Sequence, residues 1–144
     1  MGNLNAVVFG LALVALLPGA GSAQPVRQML NGLRAEQGLE PVVSSPRLEE
    51  AAKRHALDMA RRGFFGHEGS DGSDVMARAR RQGYGACTIA ENLAQGQNTL
   101  TEVLGAWVQS PGHRANLLHP NIREYGLVRA PGDIWVLVLG ADGC

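Results

Sequence analysis

Apolar positions recur at helical spacing along most of the chain and give way to β-rich runs near its end. In "PVRQMLNGLRAEQG", Val26, Met29, Leu30 and Leu33 fall on one face, which predicts a helix closed at Gly38. "LEPVV" is too short for a helix and is expected to run extended. Ser45-Pro46 then supplies an N-cap and a first-turn proline. The helix it opens, from about Arg47 to Arg62, carries Leu48, Ala51, Ala52, His55 and Met59 inward and stops at Gly63. A glycine-rich loop, "FFGHEGSDGSD", precedes a short helix from about Asp74 to Gln82, closed by Gly83. "YGACTIAENLAQGQN" mixes apolar and polar positions with no clear period and reads as mostly irregular. Thr99 and Glu102 form a capping-box pattern for a helix with Leu100, Val103, Leu104 and Trp107 inward. Ser110-Pro111 opens one more helical segment, to about Leu118, with Ser110 as its expected cap. "YGLVRA" and "DIWVLVLGA", either side of "PGD", predict a hairpin. Helices followed by a closing hairpin give an α+β class, with helices against a small antiparallel sheet.

The first residues stand outside this pattern. "AVVFGLALVALL", Ala6 to Leu17, has the length of a signal-peptide core and is too short to span a bilayer. Gly21 and Ala23 suit a cleavage site, which makes 1–23 a signal peptide and 24–144 a single mature domain. The segment "MGNLN" carries no Lys or Arg, unlike an ordinary leader. The chain is thus expected to be exported, secreted or periplasmic, with no transmembrane segment once the leader is removed.

Charge narrows the classes of partner. The 144 residues carry no net charge, and the basic residues are scattered, so no nucleic-acid surface is expected. Only Cys87 and Cys144 are present. In an oxidising compartment they are expected to pair as a structural disulfide, worth about 4 kcal/mol in the chain-entropy model, because their spacing fits no CxxC or metal pair.

Three places carry residues able to do chemistry. His67 and Asp71 lie in the glycine-rich loop, Glu91 in "AENLA", and His113 in "SPGHRANLL". Two imidazoles and a carboxylate suit a divalent cation such as zinc, with water in the fourth position. The same groups equally suit a hydrogen-bonded polar cluster, and spacing does not choose between them. His67-Glu68 is not a zincin motif, since Asp71 stands where the second histidine belongs. No G-x-S-x-G elbow is present. His55, on an apolar helix face, reads as a structural histidine, His119 as a turn residue, and Trp107 and Trp135 as packing.

In order, "LNGLRAEQGLEPV", "AAKRHALDMARRGFFGH", "DGSD", "GY", "AENLAQG", "WVQSPGHRANLL" and "YGLVRA…DIWVLVLG" resemble bacterial members of the CAP superfamily. These are the cysteine-rich secretory, antigen 5 and pathogenesis-related 1 proteins, or SCP domains. The resemblance runs from about Val26 to Gly140. It implies an α-β-α sandwich around a small central antiparallel sheet. It also implies a cleft that in some members holds a divalent cation on two His and two Glu. His67 matches the first histidine and Glu91 the glutamate of the "GENLA"-type segment. Ser110 stands where the second glutamate belongs, and the "GHFTQ"-like segment with the second histidine is missing. His113 is the available substitute, and Asp71 is the candidate fourth group.

The expected function is an extracellular binding or interaction module with a polar His/Glu cleft able to take a divalent metal. The partner is an extracellular ligand or protein that the sequence does not identify. A metal-dependent hydrolase and a lipid- or sterol-binding protein are the alternatives, and no catalytic residue is assigned.

Overall fold

The structure, a computed structural model, describes residues 23–143. The expected leader lies outside these residues except for Ala23, as does Cys144. Helix α1 (Ala23–Ala35) buries Val26 and Leu30, while Met29 is 36% exposed. Strand β1 (Val43–Ser44) leads into α2 (Pro46–Arg62), which begins on Pro46 and ends on a left-handed Gly63. Helix α3 (Val75–Arg81) is capped by Asp74, whose carboxylate accepts the Ala77 N–H. Strand β2 (Ala86–Gln95) follows, then α4 (Leu100–Gln109), α5 (Pro111–Leu117), β3 (Glu124–Ala130) and β4 (Ile134–Asp142). Among the described residues, no helix is long and apolar enough to cross a membrane.

The four strands form one sheet in the order β1-β3-β4-β2. The expected hairpin is its β3–β4 pair, and β2 joins antiparallel to β4 along its whole length. Two expectations change here. "YGACTIAENLAQGQN" is largely a ten-residue strand, because Glu91 and Asn92 are polar yet buried and hide the alternation. The sheet is also not wholly antiparallel, since the two-residue β1 runs parallel to β3.

Strand β4 shows why the sheet has helices on both faces. Trp135, Leu137 and Leu139 pack with α1, α4 and α5, while Ile134, Val136 and Val138 pack with α2 and α3. Successive side chains point to opposite faces, so a strand covered on both sides reads as a continuous apolar run. Each such side chain contributes about 1.5–3 kcal/mol when fully buried. The result is an α-β-α sandwich, with α2 close on the sheet at Gly126. A Cβ there would meet the Glu49 backbone nitrogen at 2.2 Å, so only glycine allows the approach.

The capping box at Thr99 and Glu102 forms as expected. The serines before Pro46 and Pro111 differ: neither Ser45 nor Ser110 caps with its side chain. Ser45 gives its N–H to Tyr125 O as the β1 register continues, and Ser110 ends α4 while it starts α5.

Candidate functional site: a polar cluster on the edge strand

The candidate site is built on β2, the edge strand beside β4. Glu91 and Asn92 point to opposite faces of the sheet, one toward each helical layer. On the α2/α3 side, Glu91 is buried, and its two oxygens are both engaged. Oε1 lies 2.9 Å from His67 Nδ1, and Oε2 accepts from Arg78 Nη2 at 2.8 Å. Arg78 is itself buried and gives Nη1 to Ser73 O at 2.6 Å. A carboxylate shielded from water needs such a partner, since a buried unpaired charge costs several kcal/mol.

The loop between α2 and α3 holds Ser73 in place. Gly69 and Ser73 bond through backbone, and Asp71 Oδ1 accepts the Ser73 N–H at 3.0 Å. A Cβ on Gly69 would meet Ser73 Oγ at 2.7 Å, so the turn closes only around glycine. Asp71 Oδ2 takes Arg81 Nη1 at 2.5 Å. These bonds, Ser73 first and Arg81 second, hold the Asp71 carboxyl far below the usual carboxylate range. Asp71 is therefore engaged with the loop and α3 and bonds neither His67 nor Glu91.

On the other layer, Asn92 is fully buried and gives Nδ2 to His113 O at 3.1 Å. Its Oδ1 accepts from Asn116 Nδ2 at 2.8 Å. These bonds fasten α5 across the strand. Trp107 Nε1 donates to Leu93 O at 3.0 Å, and its indole lies 6.5 Å from the His113 ring. Arg34, buried at the end of α1, gives Nη1 to Leu117 O and His119 O at the end of α5. His119 accepts the Asn121 N–H in a turn, as expected. Burial lowers the His113 pKa, and charge on His67 lowers it further. His67 stands with Glu91 on the α2/α3 side of the sheet, and His113 with Asn92 on the α4/α5 side.

His55 is buried, and Nε2 lies 2.8 Å from Gly66 O and 3.9 Å from Glu91 Oε1. A carbonyl can only accept, so Nε2 carries the proton and Nδ1 is left a lone pair, enclosed without a partner. Burial lowers its pKa, against an opposing pull from Glu91.

On the Glu91 side the donor set does not fit a divalent cation. Glu91, already paired with Arg78, is an ionised acceptor, so the His67 Nδ1 facing it carries a proton rather than a free lone pair. Arg78, which does not deprotonate, holds a positive charge against the other oxygen. Among the described residues, no three of His, Cys, Asp and Glu are grouped to hold a metal ion.

Sequence reading named His67, Glu91, His113 and Asp71 and missed Arg78, Asn92 and Asn116. Arg78 did carry a signal: it lies beside Ala79 and three residues after Val75, on the inward face of its short helix.

A three-layer sandwich with a His–Glu pair on its edge strand matches the CAP-type domain that the sequence resembles. The model of the cysteine-rich secretory protein family matches residues 27–138, and the chain belongs to that family. It is 33% identical over 111 residues to the uncharacterised protein YkwD of Bacillus subtilis (strain 168). That match covers 76% of this chain and 43% of YkwD, so the chain spans less than half the relative's length. An extracellular SCP-domain protein from Bacillus anthracis str. Ames superposes with a TM-score of 0.79 at 21% identity, over 90% of this chain and 45% of that one. An outer surface protein from Borrelia burgdorferi superposes with a TM-score of 0.75 at 25% identity, over 83% of this chain and 92% of that one.

Proposed function

We propose that the chain is an exported binding module that recognises its partner through the cleft between His67 and His113. The observation that carries this reading is the chain of contacts from Arg78 through Glu91 to His67 Nδ1. With Nδ1 protonated, neutral His67 presents the lone pair of Nε2 outward, and its side chain is 63% exposed. The ligand chemistry this favours is a hydroxyl or amide N–H donor. Export is supported by the apolar run from Ala6 to Leu17 and by relatives described as extracellular and outer surface proteins. Secretion and periplasmic retention are both compatible with it.

The test is to map imidazole and backbone amide resonances while titrating oligosaccharides and short peptides. Shifts at His67 and His113 that disappear in His67→Ala support the reading. Metal-dependent turnover of a defined substrate that vanishes in His113→Ala would overturn it. The hydrolase alternative needs a cation beside Glu91 and gains no support from a carboxylate already paired with Arg78.

A lipid- or sterol-binding role has one observation in its favour. A mainly apolar cavity of about 490 Å³ opens between Val26, Leu100, Leu127 and Trp135, away from the cleft. Retention of labelled sterol or fatty acid at micromolar protein, lost in Leu127→Gln, would favour it over the polar-cleft reading.

We also propose the Cys87–Cys144 disulfide. Support comes from the adjoining chain: Gly143 N–H donates to Gly85 O at 3.1 Å, and Asp142 accepts the Gly85 N–H at 2.8 Å. Two reactive thiols in the unfolded, unreduced protein would contradict it.

A further inference from the structure

We infer that Arg78 is the resident cation of the cleft, filling the role that a divalent ion would otherwise have beside Glu91. This deepens the polar-cleft reading and rests on it. Three groups meet beside this pair, and each already has a polar atom committed. Glu91 accepts from His67 and Arg78, His67 Nδ1 carries the proton it donates, and His55 Nε2 carries the one given to Gly66 O. The guanidinium cannot swing aside freely. Its Nη1 is bonded to Ser73 O at 2.6 Å, its side chain is 7% exposed, and Ser73 belongs to the turn closed around Gly69.

The electrostatics follow from this placement. A second positive charge beside Glu91 would meet both the repulsion of a guanidinium and the loss of its hydrogen bond. Nor do the remaining ring atoms suffice. His67 Nε2 and His113 offer two imidazoles, whereas zinc sites use three or four protein ligands. Arg78 thus occupies Glu91 Oε2 and leaves Oε1 to fix the His67 tautomer, so the cleft is complete on folding without any added ion.

Calorimetric titration of zinc into the metal-stripped protein tests this, beside Arg78→Met and the double variant Arg78→Met/Glu91→Gln. The wild type is expected to show no site at or below about micromolar Kd. Arg78→Met frees Glu91 Oε2 and removes the charge, and should gain roughly tenfold or more in zinc affinity, lost again in the double variant. Micromolar binding by the wild type that disappears in His67→Ala would overturn the inference. So would folded Arg78→Met with wild-type affinity. If Arg78→Met does not fold, the wild-type and His67→Ala titrations decide alone. Zinc binding would leave the ligand-mapping experiment to stand separately, and a failure of ligand mapping would leave the assignment of Arg78 intact.

Discussion

Arg78 and Glu91 meet by a 2.8 Å hydrogen bond between side chains that are only 7% and 2% exposed. One comes from a short helix and the other from the edge strand, so the pair joins the α2/α3 layer to the sheet. Removing one partner of a buried pair leaves the other charge unpaired. Arg78→Ala should therefore destabilise the fold by about 3–5 kcal/mol. Urea unfolding followed by circular dichroism would measure this, and a change under about 1 kcal/mol would show that water reaches Glu91 freely.

Asn92 is the corresponding fastener for the other layer. Asn92→Ala removes the donor to His113 O and the acceptor of Asn116 Nδ2. The expected cost is about 1–3 kcal/mol, with α5 amides exchanging faster than those of β4. Uniform exchange across both elements would mean that Asn92 does not specifically hold His113.

Acid should weaken the fold through its buried imidazoles. Burial lowers the pKa of His55, with Glu91 opposing, and of His113, with His67 adding to the effect. The unfolded chain then binds more protons than the folded one just below pH 6.5. The stability contributed by neutral His55 is complete above that pH and is lost as pH falls toward its folded pKa. Between pH 7 and 5.5 the stability should therefore fall through His55, because its folded pKa lies below the ordinary histidine value. Unfolding curves of wild type and His55→Gln would test this, because the variant should have the flatter pH dependence.

Gly126→Ala places a Cβ 2.2 Å from the Glu49 nitrogen, in the backbone of α2 rather than a movable side chain. The helix must shift off β3, at a cost of about 3 kcal/mol or more. A melting temperature within a degree of wild type would mean that the two elements are not packed as described.

With Arg78 proposed as the cation beside Glu91, chelation should leave the melting temperature unchanged. Calorimetric scans with and without EDTA check this. A drop of several degrees on chelation, reversed by zinc, would contradict it.

The helices were legible because their ends are written in local chemistry: Pro46 and Pro111 at first turns, the Thr99–Glu102 box, and glycines at Gly63 and Gly83. Strand β4 was legible because both its faces are covered, which makes it apolar throughout. Strand β2 was not, for a reason that belongs to the site. Glu91 and Asn92 are buried in a strand yet polar, so the residues at the candidate site erase the pattern of the strand that carries them. Arg78 was obscured among the chain's twelve arginines. It pairs with a carboxylate thirteen residues away, on a different element, and that contact leaves no periodic trace. Asp71 shows the reverse: it shares a loop with His67, but its oxygens are used within the loop and by Arg81.

The most direct test of the cleft is a long-range proton–nitrogen spectrum of the histidine imidazoles, recorded on metal-stripped protein at about pH 7.5, above the ordinary histidine range, before and after one equivalent of zinc. The account predicts His67 in the Nδ1-protonated tautomer, its resonances unmoved by zinc. An Nε2-protonated His67, or His67 and His113 shifting together at stoichiometric zinc, would contradict it.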